Sequence, residues 1–365
     1  MVCHGRSCPA VLFFARGCMP EHKRTRPGKT GRGTPRVRAF SLSARNDSTE
    51  GPTMRSTILV AILACGVLAA SAAAEESKPA APAAAPSAPA ATSAPALPNP
   101  FYAMDTCTKV PYPKNDITPE AQLDLVKELG YAGLCWTVDD PAQTKAVAEA
   151  AAKRGLKMFA IYVGATLTKD GLTCDARLAD TMAALEGHGT LIWLHIDSKD
   201  FAKSSPDGDA VAVPALQKIA DQAAARGLRV AIYPHVNNWT ERVQDIVRVV
   251  KKVDRKNFGV TFNLCHCLRV GDEEKIPALL DEAAPHLFMV TINGADAKVT
   301  EPGWGRLIMT LDQGTFDVAG VLAKLKAVGY TGPIGLQGYG LKTDRRENLV
   351  RSMEGWRRIS AKAAK

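Results

Sequence analysis

Four apolar segments in the second half of the chain close on polar side chains: His235, Asn263 with His266 three residues on, Asn293, and Gln337. Histidine is the side chain whose ordinary pKa lies nearest neutrality, so His235 and His266 are the candidate general bases. A histidine can equally do no more than hydrogen-bond a neighbouring carbonyl, and sequence alone leaves both readings open. The amides of Asn263, Asn293 and Gln337 neither take up nor release a proton near neutral pH. What they offer is hydrogen bonds to hydroxyl and carbonyl groups. Further polar candidates follow earlier segments, namely Asp105, Trp136, and His195 with Asp197. Trp136, Trp239 and Trp304 present flat faces of the kind that stack on the C–H face of a pyranose.

These residues act together only if their segments end at the same place. From Phe101 onward short apolar runs alternate with amphipathic stretches, which predicts strands at 102–107, 131–137, 157–163, 190–197, 228–235, 257–264, 286–293 and 333–337. Helices are predicted at 118–129, 141–154, 174–187, 213–226, 239–252, 273–284, 315–328 and 344–361. Eight strand-helix units in order describe an α/β fold of the (β/α)₈ TIM-barrel type, whose chemistry sits at the C-terminal ends of the strands. Alternation along each strand puts Ala231, Tyr233 and His235, then Gly259, Thr261 and Asn263, then Met289, Thr291 and Asn293, and finally Gly335 and Gln337 on the inner face. Val230, Phe262, Phe288, Val290 and Leu336 then face the helices.

The chain has 365 residues and a net charge of +9, but residues 1–53 hold ten Lys and Arg against three Asp and Glu. The positive charge thus belongs mostly to a basic leader, and the folded part carries no footprint for nucleic acid. Met54-Arg55, the apolar run Ile58 to Ala70 and the small residues Ala72-Ala73-Ala74 read as a secretory signal peptide over 54–74, with Met54 as the expected true start. The apolar run is too short for a stable membrane span. The expected location is therefore exported, periplasmic or extracellular. Residues 75–100, dominated by Ala, Pro and Ser, read as an extended linker, and 101–365 as the barrel. Of nine cysteines, Cys107, Cys135, Cys174, Cys265 and Cys267 remain beyond residue 75, an odd number without a disulfide framework. Cys265-His266-Cys267 has no second pair to complete a metal site.

The segment Leu311-Asp312-x-Gly314-x-Phe316-Asp317, the later Gly329-Tyr330-x-Gly332-Pro333-Ile334-x-Leu336, and Glu347-Asn348-Leu349 resemble the closing pattern of the sugar phosphate isomerase/epimerase superfamily with its xylose-isomerase-like barrel. Thr-Ile-Asn-Gly-Ala-Asp at 291–296 resembles a secreted subgroup of it. The resemblance covers roughly residues 101–361 and implies a divalent cation held by Glu, Asp, His and Glu at the ends of strands five to eight, the two Glu serving as acid and base. Here those positions carry Tyr233, Asn263 (with His266 kept), Asn293 (with Asp296 kept) and Gln337. No carboxylate of the quartet remains, so a metal is possible by family but its acidic ligands are replaced. Gln337 cannot act as a base, and Tyr233 could do so only with a pKa far below about 10.

The resemblance implies an exported isomerase or epimerase acting on a sugar or polyol by proton transfer. Its catalytic candidates are His235, His266 and Tyr233. Its substrate-binding candidates are Asn263, Asn293, Asp296, Gln337, His195, Asp105 and Trp136, with no metal ligand assigned. The alternative is a non-catalytic or metal-independent carbohydrate-binding barrel. Lys342, Arg345 and Arg346 resemble an anion site, though a solvated first helical turn is the expected reading. A multi-zinc DNA-repair enzyme would need acids and a basic face that the sequence lacks.

Overall fold

A computed structural model describes residues 97–365 apart from positions 111, 114 and 115. The leader, the signal peptide and most of the linker lie outside the described residues. Eight strands form the barrel: β1 Phe101–Ala103, β2 Gly133–Thr137, β3 Lys157–Thr168, β4 Leu191–Ser198, β5 Arg229–Ile232, β6 Phe258–Asn263, β7 Leu287–Ile292 and β8 Ile334–Leu336. Each pairs in parallel with the next, and β8 pairs with β1, which closes the sheet on itself. The (β/α)₈ architecture expected from the alternation is the one present.

The outer helices begin where the sequence supplies caps. Thr118 Oγ1 accepts from the Ala121 N–H at 3.2 Å ahead of the helix Pro119–Glu128, and Asp140 Oδ1 accepts from Ala142 and Gln143 ahead of Pro141–Lys153. Asp344 caps the last helix, Arg345–Ala364, by accepting from the Glu347 N–H at 3.0 Å. Contacts of the barrel start before Phe101: Asn99 donates to the carbonyls of Tyr330 and Gly332 at 3.2 and 2.8 Å.

Four differences from the predicted elements shape the mouth. The first strand ends at Ala103, and Asp105–Thr108 form one helical turn. Strand β3 runs on to Thr168 and folds back through Lys169-Asp170 into a short antiparallel strand, Gly171–Cys174. Strand β5 stops at Ile232, because Tyr233 still donates to the Leu194 carbonyl at 2.7 Å whereas Pro234 has no N–H to continue the ladder. After β6 the chain turns at once into the helix Leu264–Arg269, capped by Asn263, whose side chain accepts from the His266 N–H at 3.0 Å.

Alternation holds for the inner faces of β5, β6 and β8. The Trp193 indole donates to Thr261 inside the barrel at 2.5 Å. Gly335 leaves the space that the Tyr102 ring fills, since a Cβ there would lie 2.3 Å from it. Phe288 does not face the helices as predicted. A register shift where β6 meets β7 turns it against Gly259, where a Cβ would lie 2.5 Å from its ring, and the Arg229 guanidinium covers that ring at 4.7 Å.

Candidate functional site

The C-terminal ends of the strands surround a cavity of about 250 Å³. Its wall includes Asp105 and Thr106 from the turn after β1, Tyr162 from β3, Tyr233 and His235 after β5, Cys265 and His266 after β6, and Gln337 after β8. Tyr112, Trp304, Ile308 and Tyr339 complete it from loops. Aromatic rings and a few convergent polar groups are the composition of a small-molecule site.

Three histidines form a contiguous cluster of tilted rings beside it. His235 lies 4.5 Å from His266 and 5.9 Å from His195, ring centroid to centroid, and Tyr162 stacks on His195 at 4.5 Å. His195 pairs with the Asn238 side chain at 3.3 Å. Burial, with the neighbouring His235 adding to it, lowers the His195 pKa to about 4. Burial also lowers His235, against hydrogen bonds to Val236 and Asn238 that raise it, and lowers His266 well below its usual value. The cluster is thus neutral at physiological pH.

Beside the histidines runs a chain of amides and hydroxyls. Asn263 Nδ2 donates to the Tyr233 phenol and to Thr291 Oγ1, both at 2.6 Å, while its Oδ1 accepts from the His266 N–H and the Cys265 thiol. Gln337 Nε2 donates to the same phenol at 3.3 Å, and its Oε1 accepts from Thr106 Oγ1 at 2.6 Å and from the Tyr339 N–H at 3.0 Å. Burial raises the pKa of Tyr233 well above its ordinary value, so the phenol is a proton holder and not the base considered from sequence. Asp105, buried on the cavity wall, accepts from Lys109 at 3.3 Å and from Thr137.

The structure gathers Asp105, Tyr233, His235, His266 and Gln337 on one wall, with Asn263 directly behind. The other candidates lie apart. Asn293 is fully buried outside the wall, donating to the carbonyls of Gly294 and Leu307 at 2.9 and 2.7 Å. Asp296 binds Arg306 at 2.8 Å and Thr315 at 3.2 Å. Trp136 is buried beneath the Lys109 ammonium, 4.7 Å from its ring centre, and Trp239 is core, donating to the Ser205 carbonyl. His195 stands behind Tyr162. Of the three tryptophans only Trp304 lines the cavity, 5.2 Å from the His266 ring. Arg345 is tied to Thr108, Val110 and Asp116, and Arg346 to Glu128, so both serve the fold. Tyr162, Tyr112, Thr106 and Tyr339 were not among the sequence candidates; alternation along β3 could have yielded Tyr162, while the loop residues carry no periodic signal.

The donor set does not suit the divalent cation that the resemblance implies. At the four corresponding positions the phenol oxygen of Tyr233 receives two N–H groups, and the oxygens of Asn263 and Gln337 each accept two hydrogen bonds already. Asn293 Oδ1, buried without a partner, is the one oxygen left free, and it brings no charge. Among the described residues no group of three or more His, Cys, Asp or Glu is placed to hold a metal ion. Cys265 and Cys267 are buried thiols on the Leu264–Arg269 helix, and burial pushes the Cys267 thiol up to about 12.

Comparison with known proteins agrees with this architecture. Residues 123–359 match the family described as xylose isomerase-like TIM barrel. A 3-dehydroshikimate dehydratase of Pseudomonas aeruginosa is 32% identical over 148 residues, which are 37% of this chain and 22% of that protein. The chain thus matches about a fifth of that relative's length. An L-ribulose 3-epimerase superposes with a TM-score of 0.55 at 16% identity, over 72% of this chain and 95% of the other. The probable 3-DHS dehydratase AsbF of Bacillus anthracis superposes with a TM-score of 0.54 at 14% identity, over 70% and 97% of the two chains. At such identities the two superpositions speak for the fold alone. The barrel, its closure and the match over most of its length establish that the chain belongs to the xylose isomerase-like TIM barrel family.

Proposed function

We propose that the barrel binds a small sugar or polyol in the mouth cavity and moves a proton on it without a metal, with His235 as the base. The observation that carries this reading is the tautomer of His235. Its Nδ1 contacts the Val236 carbonyl at 3.0 Å, and a carbonyl only accepts, so the lone pair resides on Nε2 of a ring that lines the cavity. A neutral imidazole can remove a proton from the carbon next to a carbonyl, and the charge that develops on the carbonyl oxygen needs hydrogen-bond donors, not acids. The names of the relatives, an epimerase of one sugar and dehydratases of a keto compound, fit proton removal of this kind.

A second reading keeps the pocket and drops the chemistry. The internal pairing of Asn263 and Gln337, and the loss of the acid/base carboxylates, favour a barrel that binds a carbohydrate and leaves it unchanged. Incubation of chelator-treated protein with a panel of ketoses and aldoses in D₂O separates the two. Deuterium entering next to the carbonyl, lost in His235→Gln, is the expected result. Sugars that bind but gain no deuterium would leave the binding barrel as the function. Export belongs to the same proposal and rests on the signal-like segment at 54–74; it is tested by locating the protein in cell fractions. Among the described residues no helix is long and apolar enough to cross a membrane.

A further inference from the structure

One hydrogen on the cavity wall has its direction dictated by the backbone. The His266 N–H donates to Asn263 Oδ1 at 3.0 Å, and the Tyr339 N–H donates to Gln337 Oε1 at 3.0 Å. A backbone N–H cannot accept, so each contact fixes which end of the amide is oxygen and turns its NH₂ the other way. Both NH₂ groups converge on one atom, the phenol oxygen of Tyr233, at 2.6 Å from Asn263 and 3.3 Å from Gln337. Thr106 reinforces the polarity. Its Oγ1 accepts from the Gly338 N–H at 3.2 Å, so its hydrogen goes to Gln337 Oε1 at 2.6 Å.

The phenol oxygen is thus an acceptor twice over, and its own hydrogen points away from both amides. Among the described residues, that hydroxyl donates no hydrogen bond: its two hydrogen bonds are the ones it accepts. The side chain is 1% exposed, yet it lines the cavity. Edge-on contacts with Trp193 at 4.7 Å and Tyr162 at 5.2 Å fix the ring.

We infer that Tyr233 is the hydrogen-bond donor that binds a ligand oxygen in the cavity, its O–H aimed inward by the paired amides of Asn263 and Gln337. The role is the reverse of a carboxylate's at that position. A carboxylate gives lone pairs to a cation, whereas this phenol gives a hydrogen to a carbonyl or hydroxyl oxygen and keeps it, with no proton transferred. On the sugar or polyol reading, on which only the ligand's identity rests, it polarises the substrate oxygen from a fixed position.

Two measurements test it. Neutron diffraction from deuterium-exchanged crystals grown without sugar is expected to show the deuteron on Tyr233 pointing into the cavity. A deuteron directed at Asn263 or Gln337, with that amide reversed, overturns the inference. Calorimetric titration with D-fructose and with D-sorbitol then compares the chain with Tyr233→Phe, whose fold is checked by circular dichroism. The variant is expected to bind whichever probe the chain binds about tenfold more weakly, and equal affinity overturns the inference. Should neither probe bind the unsubstituted chain, the sugar or polyol reading falls, while the neutron result still decides the direction of the hydrogen.

Discussion

His235 and His266 face each other at 4.5 Å and are tied to opposite polar groups of the same residue. The Val236 carbonyl meets Nδ1 of His235 at 3.0 Å, and the Val236 N–H donates to Nδ1 of His266 at 3.2 Å. The first ring therefore carries its hydrogen on Nδ1 and its lone pair on Nε2. The second is the opposite tautomer, with a hydrogen on Nε2. Two like side chains are thereby differentiated into an acceptor and a donor by a single stretch of backbone.

That difference predicts unequal effects of substitution. His235→Gln removes the imidazole lone pair and should lower the rate of solvent deuterium entry into substrate by roughly 10²–10⁴-fold. His266→Gln keeps an N–H donor and should change kcat much less than KM. Equal losses in kcat for both would refute the division of roles, and full activity of His235→Gln would remove that histidine from the chemistry.

A second prediction concerns cations. A site that bound Mn²⁺ with a Kd one hundredth of the added concentration would stabilise the fold by about 2.7 kcal/mol, a readily measured rise in Tm. With Asn263 and Gln337 committed to internal hydrogen bonds, 1 mM Mn²⁺ or Mg²⁺ should leave Tm where it stands after dialysis against EDTA. Ligand affinity should likewise be the same with and without chelator. A metal-dependent Tm would show that the amides rearrange to ligate.

How far the sequence foretold this arrangement depends on which residues are asked. Inward-facing Tyr233, Asn263 and Gln337 follow from strand alternation, because burial of one face of each strand enforces a period of two. His235 was found as a residue but placed on a strand, and His266 was found without the helix that carries it. Pro234 ends the ladder of β5, and Asn263 caps a short helix that the predicted elements did not include between 264 and 273. Asn293 also satisfies the alternation, yet its amide is drawn aside by the carbonyls of Gly294 and Leu307, which belong to a loop no local pattern reveals. Tyr112, Trp304 and Tyr339 come from loops too, and their convergence is a property of the closed barrel. The paired polarity of the amides lay further out of reach, since it depends on two backbone N–H groups that only the fold positions.

The histidine cluster also predicts how stability changes with pH. In the unfolded chain a histidine titrates near 6.5, whereas burial and the adjacent His235 hold His195 at about 4, against a smaller opposing effect of Asp197. Between these values the unfolded chain binds the proton that the folded chain refuses. Folding stability therefore falls as pH drops from 6.5 towards 4, and below that range this group adds no further loss. His235 and His266, also lowered, act in the same direction. Thermal melting from pH 7.5 to 4.5 should show a declining Tm, with a shallower decline in His195→Gln. A flat profile in the unsubstituted chain would mean that the cluster takes up protons as freely as exposed histidines do.

Charge on the ligand offers the last test. No Lys or Arg is among the described residues of the cavity wall, and its one carboxylate, Asp105, already holds the Lys109 ammonium at 3.3 Å. With the histidines neutral, an anionic group entering this space would lose its hydration and gain no counter-charge. D-fructose should therefore bind at least tenfold more tightly than D-fructose 6-phosphate at pH 7.5, and the carboxylate of 3-dehydroshikimate should be disfavoured for the same reason. The preference should narrow only as the pH falls below the ordinary histidine range, because burial lowers the His235 pKa and delays the positive charge that its protonation would supply. Tighter binding of the phosphate at pH 7.5 would require a cation to swing into the mouth, such as Lys109 released from Asp105.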